Sequence, residues 1–157
     1  MEHISNPFTS REGYFCFGCS PDNHTGLNMK FIKEGNKIIS SWHPKKHLEG
    51  YPNVLHGGIQ ATLMDEIASW AVYTLLETAG VTAYMNTRFK KPVFLDKGPL
   101  RLEAIPGEVV KRIAAIEVKL FNCDDVLCAT GDIGYFVYPK EIAKTRMNYP
   151  GRDKFFK

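Results

Sequence analysis

The chain has 157 residues, 44% of them hydrophobic, with 20 Lys and Arg against 17 Asp and Glu for a formal charge of +3. That length suits one domain with a core of useful size, no apolar run approaches the ~18 residues that span a membrane, and Met1–Ser10 lacks the basic and hydrophobic stretches of a secretory signal, so a cytoplasmic protein is expected. Residues 140–157 hold six basic and two acidic side chains (+4), which leaves fourteen basic and fifteen acidic elsewhere (−1); a nearly neutral body without a basic stripe argues against nucleic-acid binding, which needs clustered cations.

Residues 1–26 read as a polar N-terminal segment that packs on the domain. Leu27–Lys33 and Lys37–His43 read as a hairpin around Glu34-Gly35-Asn36. After a loop from Pro44 to Pro52, the spacing predicts a helix from about Gly57 to Thr78, with Gly80 as its left-handed C-terminal cap. Val81–Val93, Pro99–Ile105, Glu108–Phe121 and Val126–Tyr138 are rich in β-branched and aromatic residues and read as strands. Their connections, Asp96-Lys97-Gly98, Pro106-Gly107 and Asn122-Cys123-Asp124-Asp125, are short enough for antiparallel neighbours. The expected domain, residues 27–139, is α+β: one long central helix wrapped by a five- to six-stranded antiparallel sheet. Residues 140–157 read as a solvated basic tail. Long apolar edge strands are naturally covered by a second subunit, so a homodimer or a dimer of dimers is expected.

The predicted helix carries the chemistry. It is apolar almost all round, so it should be covered on most sides. Yet it holds Asp65 and Glu66, neither with a Lys or Arg within one turn, and burying a carboxylate without partners costs several kcal/mol. At least one should open onto a polar pocket. Glu66 lies about 100° further round the helix than Asp65, so the two should not share a site, and Glu66 reads as structural or interfacial. Gly57 and Gly58 lack Cβ atoms at the helix start, where a ligand oxygen can approach unpaired N–H groups and the dipole favours negative charge. His56 can polarise a carbonyl or simply fix the loop.

Cys16, Cys19, Cys123 and Cys128 have spacings compatible with four zinc ligands, but Cys128 falls in a strand and no knuckle sequence surrounds either pair. The expectation is four reduced thiols and no metal. Trp42, Trp70, Tyr73 and Phe89 read as core and interface packing.

The residues Glu49-Gly50-Tyr51-Pro52-Asn53-Val54-Leu55-His56-Gly57-Gly58, followed by Asp65-Glu66 and by Met85-Asn86-Thr87-Arg88-Phe89 and Lys91-Pro92-Val93, resemble the hotdog-fold acyl-CoA thioesterase superfamily, in particular its phenylacetyl-CoA-type branch. Cys16-Phe17-Gly18-Cys19-Ser20-Pro21-Asp22-Asn23-His24-Thr25-Gly26-Leu27 is similar to a leading segment found in part of that branch, so the likeness covers roughly residues 14–138. The resemblance implies hydrolysis of an acyl-CoA thioester to a carboxylic acid and free coenzyme A, without a cofactor. It gives Asp65 the role of general base or nucleophile and the Gly57 N–H that of oxyanion donor, at a site lying on a dimer interface. It also places Thr82 where some relatives have a Ser or Thr that steers the nucleophile. Where several relatives have an Asn or Gln about six residues before the His, this chain has Gly50, with Asn53 nearer; Ser20 and His24 also depart from the leading segment. Asn53, Gly58, Arg88 and Lys90 are candidate substrate contacts, and Lys91 joins Arg88 and Lys90 as a candidate for the phosphates. Two alternatives use the same scaffold: a non-catalytic acyl-CoA sensor, and a hydratase or dehydratase acting on the Cα–Cβ bond of an acyl thioester.

Overall fold

A computed structural model describes all residues, 1–157. Seven strands form one antiparallel sheet: β1 (Glu2–Ile4), β2 (Phe31–Glu34), β3 (Lys37–Trp42), β4 (Gly80–Phe89), β5 (Leu100–Val110), β6 (Ile113–Phe121) and β7 (Leu127–Val137). Their order across the sheet is β1-β2-β3-β5-β6-β7-β4, so β1 and β4 are the edges. The long helix α1 (Gly57–Leu75) lies against one face of the sheet and packs on β3 to β7, the expected hotdog arrangement. Leu63, Met64, Ile67 and Ala68 of α1 are fully buried against Ile38, Leu102, Ile116, Leu120 and Ile133 of the sheet. Alternation in β6 buries Ala114, Ile116, Val118 and Leu120, as period-two patterning demands.

Several boundaries differ from the sequence reading. The sheet gains β1, because Glu2-His3-Ile4 pairs with Lys33-Ile32-Phe31; three residues with one aliphatic side chain give no periodic signal. The helix stops at Leu75, and the left-handed residue beyond it is Glu77 (φ 56°), whereas Gly80 opens β4. A Cβ at Gly80 would stand 2.5 Å from the Phe136 carbonyl oxygen, so the glycine serves strand approach. Pro106-Gly107 is an irregularity inside β5. The chain reverses instead at Lys111 and Arg112 (φ 49° and 65°), two residues without the usual turn chemistry.

The basic tail is anchored. Lys140–Arg146 form the short helix α2, and Tyr149 and Phe155 are buried, with Phe155 edge-on to Trp70 and stacked on Tyr73. Tyr149 donates its hydroxyl proton to the Tyr73 carbonyl at 2.8 Å, and the Ser5 N–H donates to the Phe155 carbonyl at 2.8 Å. Two aromatic residues among six cations were enough to dock a segment whose charge alone suggested solvation.

β4 sets the geometry of the site. A bulge between Thr82 and Tyr84 breaks its alternation. Thr82 therefore faces α1 before the bulge, and Phe89 faces the start of α1 after it. The strand is exposed along almost its whole length, with Val81, Tyr84, Met85 and Phe89 between 37% and 54% accessible.

Candidate functional site

Asp65 sits in the middle of α1, partly buried, on the side facing β4 and β7. Its Oδ1 accepts from the Tyr135 hydroxyl at 2.6 Å and from Thr82 Oγ1 at 2.9 Å. Tyr135 also reaches the Asp65 carbonyl at 2.8 Å. Burial, followed by the neighbouring Asp65 charge, raises the Tyr135 phenol well above its ordinary value, so it stays protonated and donates. Oδ2 is left free. A carboxylate with one oxygen tied by two hydroxyls and the other open has the form of a positioned base or nucleophile.

At the start of the helix, the His56 ring caps the backbone: its Nδ1 accepts from the Gly58 N–H at 2.9 Å. The His56 carbonyl accepts from the N–H groups of Ile59 and Gln60. Gly57, the first helical residue, keeps an N–H without a partner in the chain. That orphan donor opens onto a groove of about 310 Å³ lined by Val54, Leu55, Gly57, Gln60, Phe89, Lys90, Lys91 and Pro92. The groove unites an anion-favouring helix terminus, two lysines and an apolar wall, a suitable setting for a thioester carbonyl next to an anionic carrier.

Other sequence candidates lie elsewhere. Arg88 belongs to a different hollow, with Asn86, Glu117, Lys119, Thr130 and Asp132, away from Gly57. The Asn53 side chain donates to Asp96 Oδ1 at 3.1 Å and its N–H to Glu49 Oε1 at 2.6 Å, tying two loops together. Gly58 has its N–H occupied by His56, and both line a shallow surface with His47, Leu48 and Glu49. Glu66 faces away from Asp65: its Oε1 accepts from Trp70 Nε1 at 3.1 Å and stands 3.5 Å from Cys16 Sγ. Burial, followed by the Cys16 charge, pushes the Glu66 carboxyl up to about 7.

Sequence reasoning missed two site residues. Tyr135 is one aromatic in an apolar strand, and only the packing of β7 on α1 brings it to Asp65. Gln60 is buried, donates from Nε2 to the Leu55 carbonyl at 3.1 Å and leaves Oε1 without a partner beside the Gly57 groove. A polar residue on the apolar face of the helix was its only trace. The four cysteines are unpaired, and the two pairs do not meet. Cys123 is exposed and bonds the Lys97 carbonyl, while Cys128 is buried in β7.

Residues 52–129 match the family model described as "Thioesterase superfamily". The chain is 25% identical over 127 residues to the "Putative esterase SSO1253" of Saccharolobus solfataricus, covering 80% of this chain and 83% of that protein. Among solved structures it resembles RHA08564, described as a thioesterase superfamily protein, with a TM-score of 0.71 and 23% identity. That likeness covers 78% of this chain and 63% of the other, so the chain spans less than two thirds of that relative. It also resembles smu.793 from Streptococcus mutans, solved bound to acetyl CoA, with a TM-score of 0.64 and 20% identity over 72% of this chain and 90% of that one. The fold is thus the hotdog fold, and just under half of the chain matches the thioesterase superfamily model. The matched span includes Pro52 to Gly58 and Asp65-Glu66, on the loop and helix that carry Gly57 and Asp65.

Proposed function

We propose that the protein is an acyl-CoA thioesterase of the phenylacetyl-CoA type, which uses Asp65 to activate water or attack directly and the Gly57 N–H to hold the oxyanion. The observation that carries this reading is the pairing of an orphan helix-start N–H with a carboxylate whose Oδ1 is fixed by Tyr135 and Thr82. In thioester hydrolysis the carbonyl oxygen gains charge as the nucleophile adds; one preorganised donor there is worth about 3 kcal/mol and a positioned base ~10²–10⁴ in rate. Lys90 and Lys91 stand where the phosphates of coenzyme A would run from the groove. Neither step calls for a metal or an organic cofactor. Four unpaired cysteines suit a reducing compartment, in keeping with a cytoplasmic enzyme.

The same geometry calls for two subunits. Gly57 and Asp65 are eight residues apart on one helix, about 12 Å along its axis, too far for both to act on one carbonyl group. Antiparallel pairing of β4 with a second β4 would cover the exposed edge and set the Gly57 end of one helix against Asp65 of the other. Each dimer would then hold two composite sites.

Thiol release from short, medium, branched and aromatic acyl-CoAs tests the activity and its substrate class. Co-expression tests the composite site. Gly57→Pro and Asp65→Asn chains, each inactive alone, should recover about a quarter of wild-type turnover when mixed equally, because half the dimers then carry one intact site of two. No recovery in verified heterodimers would refute the shared site. Binding of the acyl-CoAs without thiol release would refute hydrolysis and favour a sensor.

A further inference from the structure

Glu66, which hydrolysis leaves unused, ends in a side-chain cluster with both cysteines of Cys16-Phe17-Gly18-Cys19. Cys16 Sγ, Cys19 Sγ and a Glu66 carboxylate oxygen all lie within 4.8 Å of one another, Cys19 buried and the other two partly so. Donor atoms around a tetrahedral zinc ion stand roughly 3.5–4 Å apart, so small side-chain rotations suffice to bring these three onto one ion. No Lys, Arg or His forms an ion pair with Glu66. A carboxylate withdrawn from water beside two thiols, without a cation, is a costly arrangement that a divalent ion would relieve.

The surroundings are shaped for those three donors. Trp70 Nε1 holds the Glu66 carboxylate in place at 3.1 Å. A Cβ on Gly18 would stand 2.4 Å from Glu66 Cδ, so only glycine lets the carboxylate close down on the cysteine loop. Cys16 Sγ already stands 3.5 Å from Glu66 Oε1, and Trp70 gives that carboxylate the kind of outer support that metal ligands receive. The Tyr14 hydroxyl lies 2.8 Å from Cys19 Sγ.

We infer that Cys16, Cys19 and Glu66 form a zinc site, closed by the Tyr14 hydroxyl or a water molecule. Two thiolates select zinc over magnesium or calcium, and a carboxylate oxygen is a regular third ligand. The ion takes the place of the protons these groups otherwise share. It joins the N-terminal segment to the turn of α1 that also carries Asp65, and because Glu66 is about 100° round the helix from Asp65, the site is a structural tie outside the reaction path. It stands independently of the thioesterase reading.

The test uses the full chain. Protein purified without chelator should contain about one zinc per chain. Cobalt(II) added to reduced, zinc-stripped wild type should give a thiolate-to-cobalt charge-transfer absorption that zinc abolishes. Cys16→Ser and Cys19→Ser should each remove that band, and Glu66→Gln should weaken zinc binding at least about tenfold. Cys123→Ser, altered at an exposed thiol away from the cluster, should leave both unchanged. The cobalt titration of wild type does not depend on any variant folding. Absence of zinc together with no charge-transfer band from the reduced wild type would overturn the site, as would a band that persists in Cys19→Ser.

Discussion

Replacing Gly57 by proline removes one atom pair, the N–H that the thioesterase reading assigns to the oxyanion, and the structure shows why the fold should tolerate it. Gly57 is the first residue of α1, where proline is favoured because its missing N–H would have no intrahelical partner. His56, at φ −54° and ψ 132°, already has the extended conformation required before proline. A Cβ at Gly57 would lie 3.8 Å from Phe89 Cζ, ordinary contact. The restricted unfolded chain should even add roughly 0.4–1 kcal/mol of stability. Loss of an oxyanion donor costs ~10²–10³ in kcat, about 2.7–4 kcal/mol of barrier. The expected result, read by steady-state thiol release beside a thermal melt, is therefore an undiminished Tm with kcat down at least about a hundredfold. A variant that melts like wild type and keeps kcat within about threefold would refute Gly57 as the donor.

Asp65→Asn keeps an oxygen to accept from Tyr135 and Thr82, so it should lose ~10²–10⁴ in turnover while costing only about 1–2 kcal/mol of stability, as checked by kinetics and urea melts on the same sample. Tyr135→Phe removes the 2.6 Å bond that orients Asp65; kcat should fall about tenfold with KM nearly unchanged, and a KM effect alone would argue against a positioning role. Met85→Glu puts a charge on the exposed β4 edge and should yield monomers by light scattering, inactive because their sites are incomplete. In metal-free protein, Glu66 carries a carboxyl raised from 4.5 to about 7, so its folded state binds more protons than its unfolded state between those values, and its contribution to stability falls as pH rises through them. Cys16, lowered to about 5 chiefly by the Cys19 thiol, contributes stability in the opposite sense as pH rises. Glu66→Gln removes the first effect: relative to the parent it should gain stability as pH rises from 4.5 to 8 in the presence of chelator, measured by denaturant melts. A pH-independent difference would contradict the burial of that carboxyl.

The central helix was legible in the sequence because it is apolar all round, and its two carboxylates stood out for the same reason: charge in an apolar helix demands a use. The split between Asp65 and Glu66 followed from the helical period alone. Strand alternation gave most of the sheet, and the glycines at 57 and 58 marked the start of the helix. Tertiary packing decided what local pattern does not encode. Tyr135 reaches Asp65 across seventy residues, and Lys111-Arg112 turn against their own propensities because the register of β5 on β6 requires it. Phe155 and Tyr149 hold the basic tail through contacts with α1. Cys16-x-x-Cys19 looked like two reduced thiols, and only the fold sets them beside Glu66, fifty residues on. Local sequence fixes which groups must seek partners, because propensity and desolvation act residue by residue. Which partners they find depends on contacts between segments far apart in the chain, and those exist only once the sheet has closed on its helix.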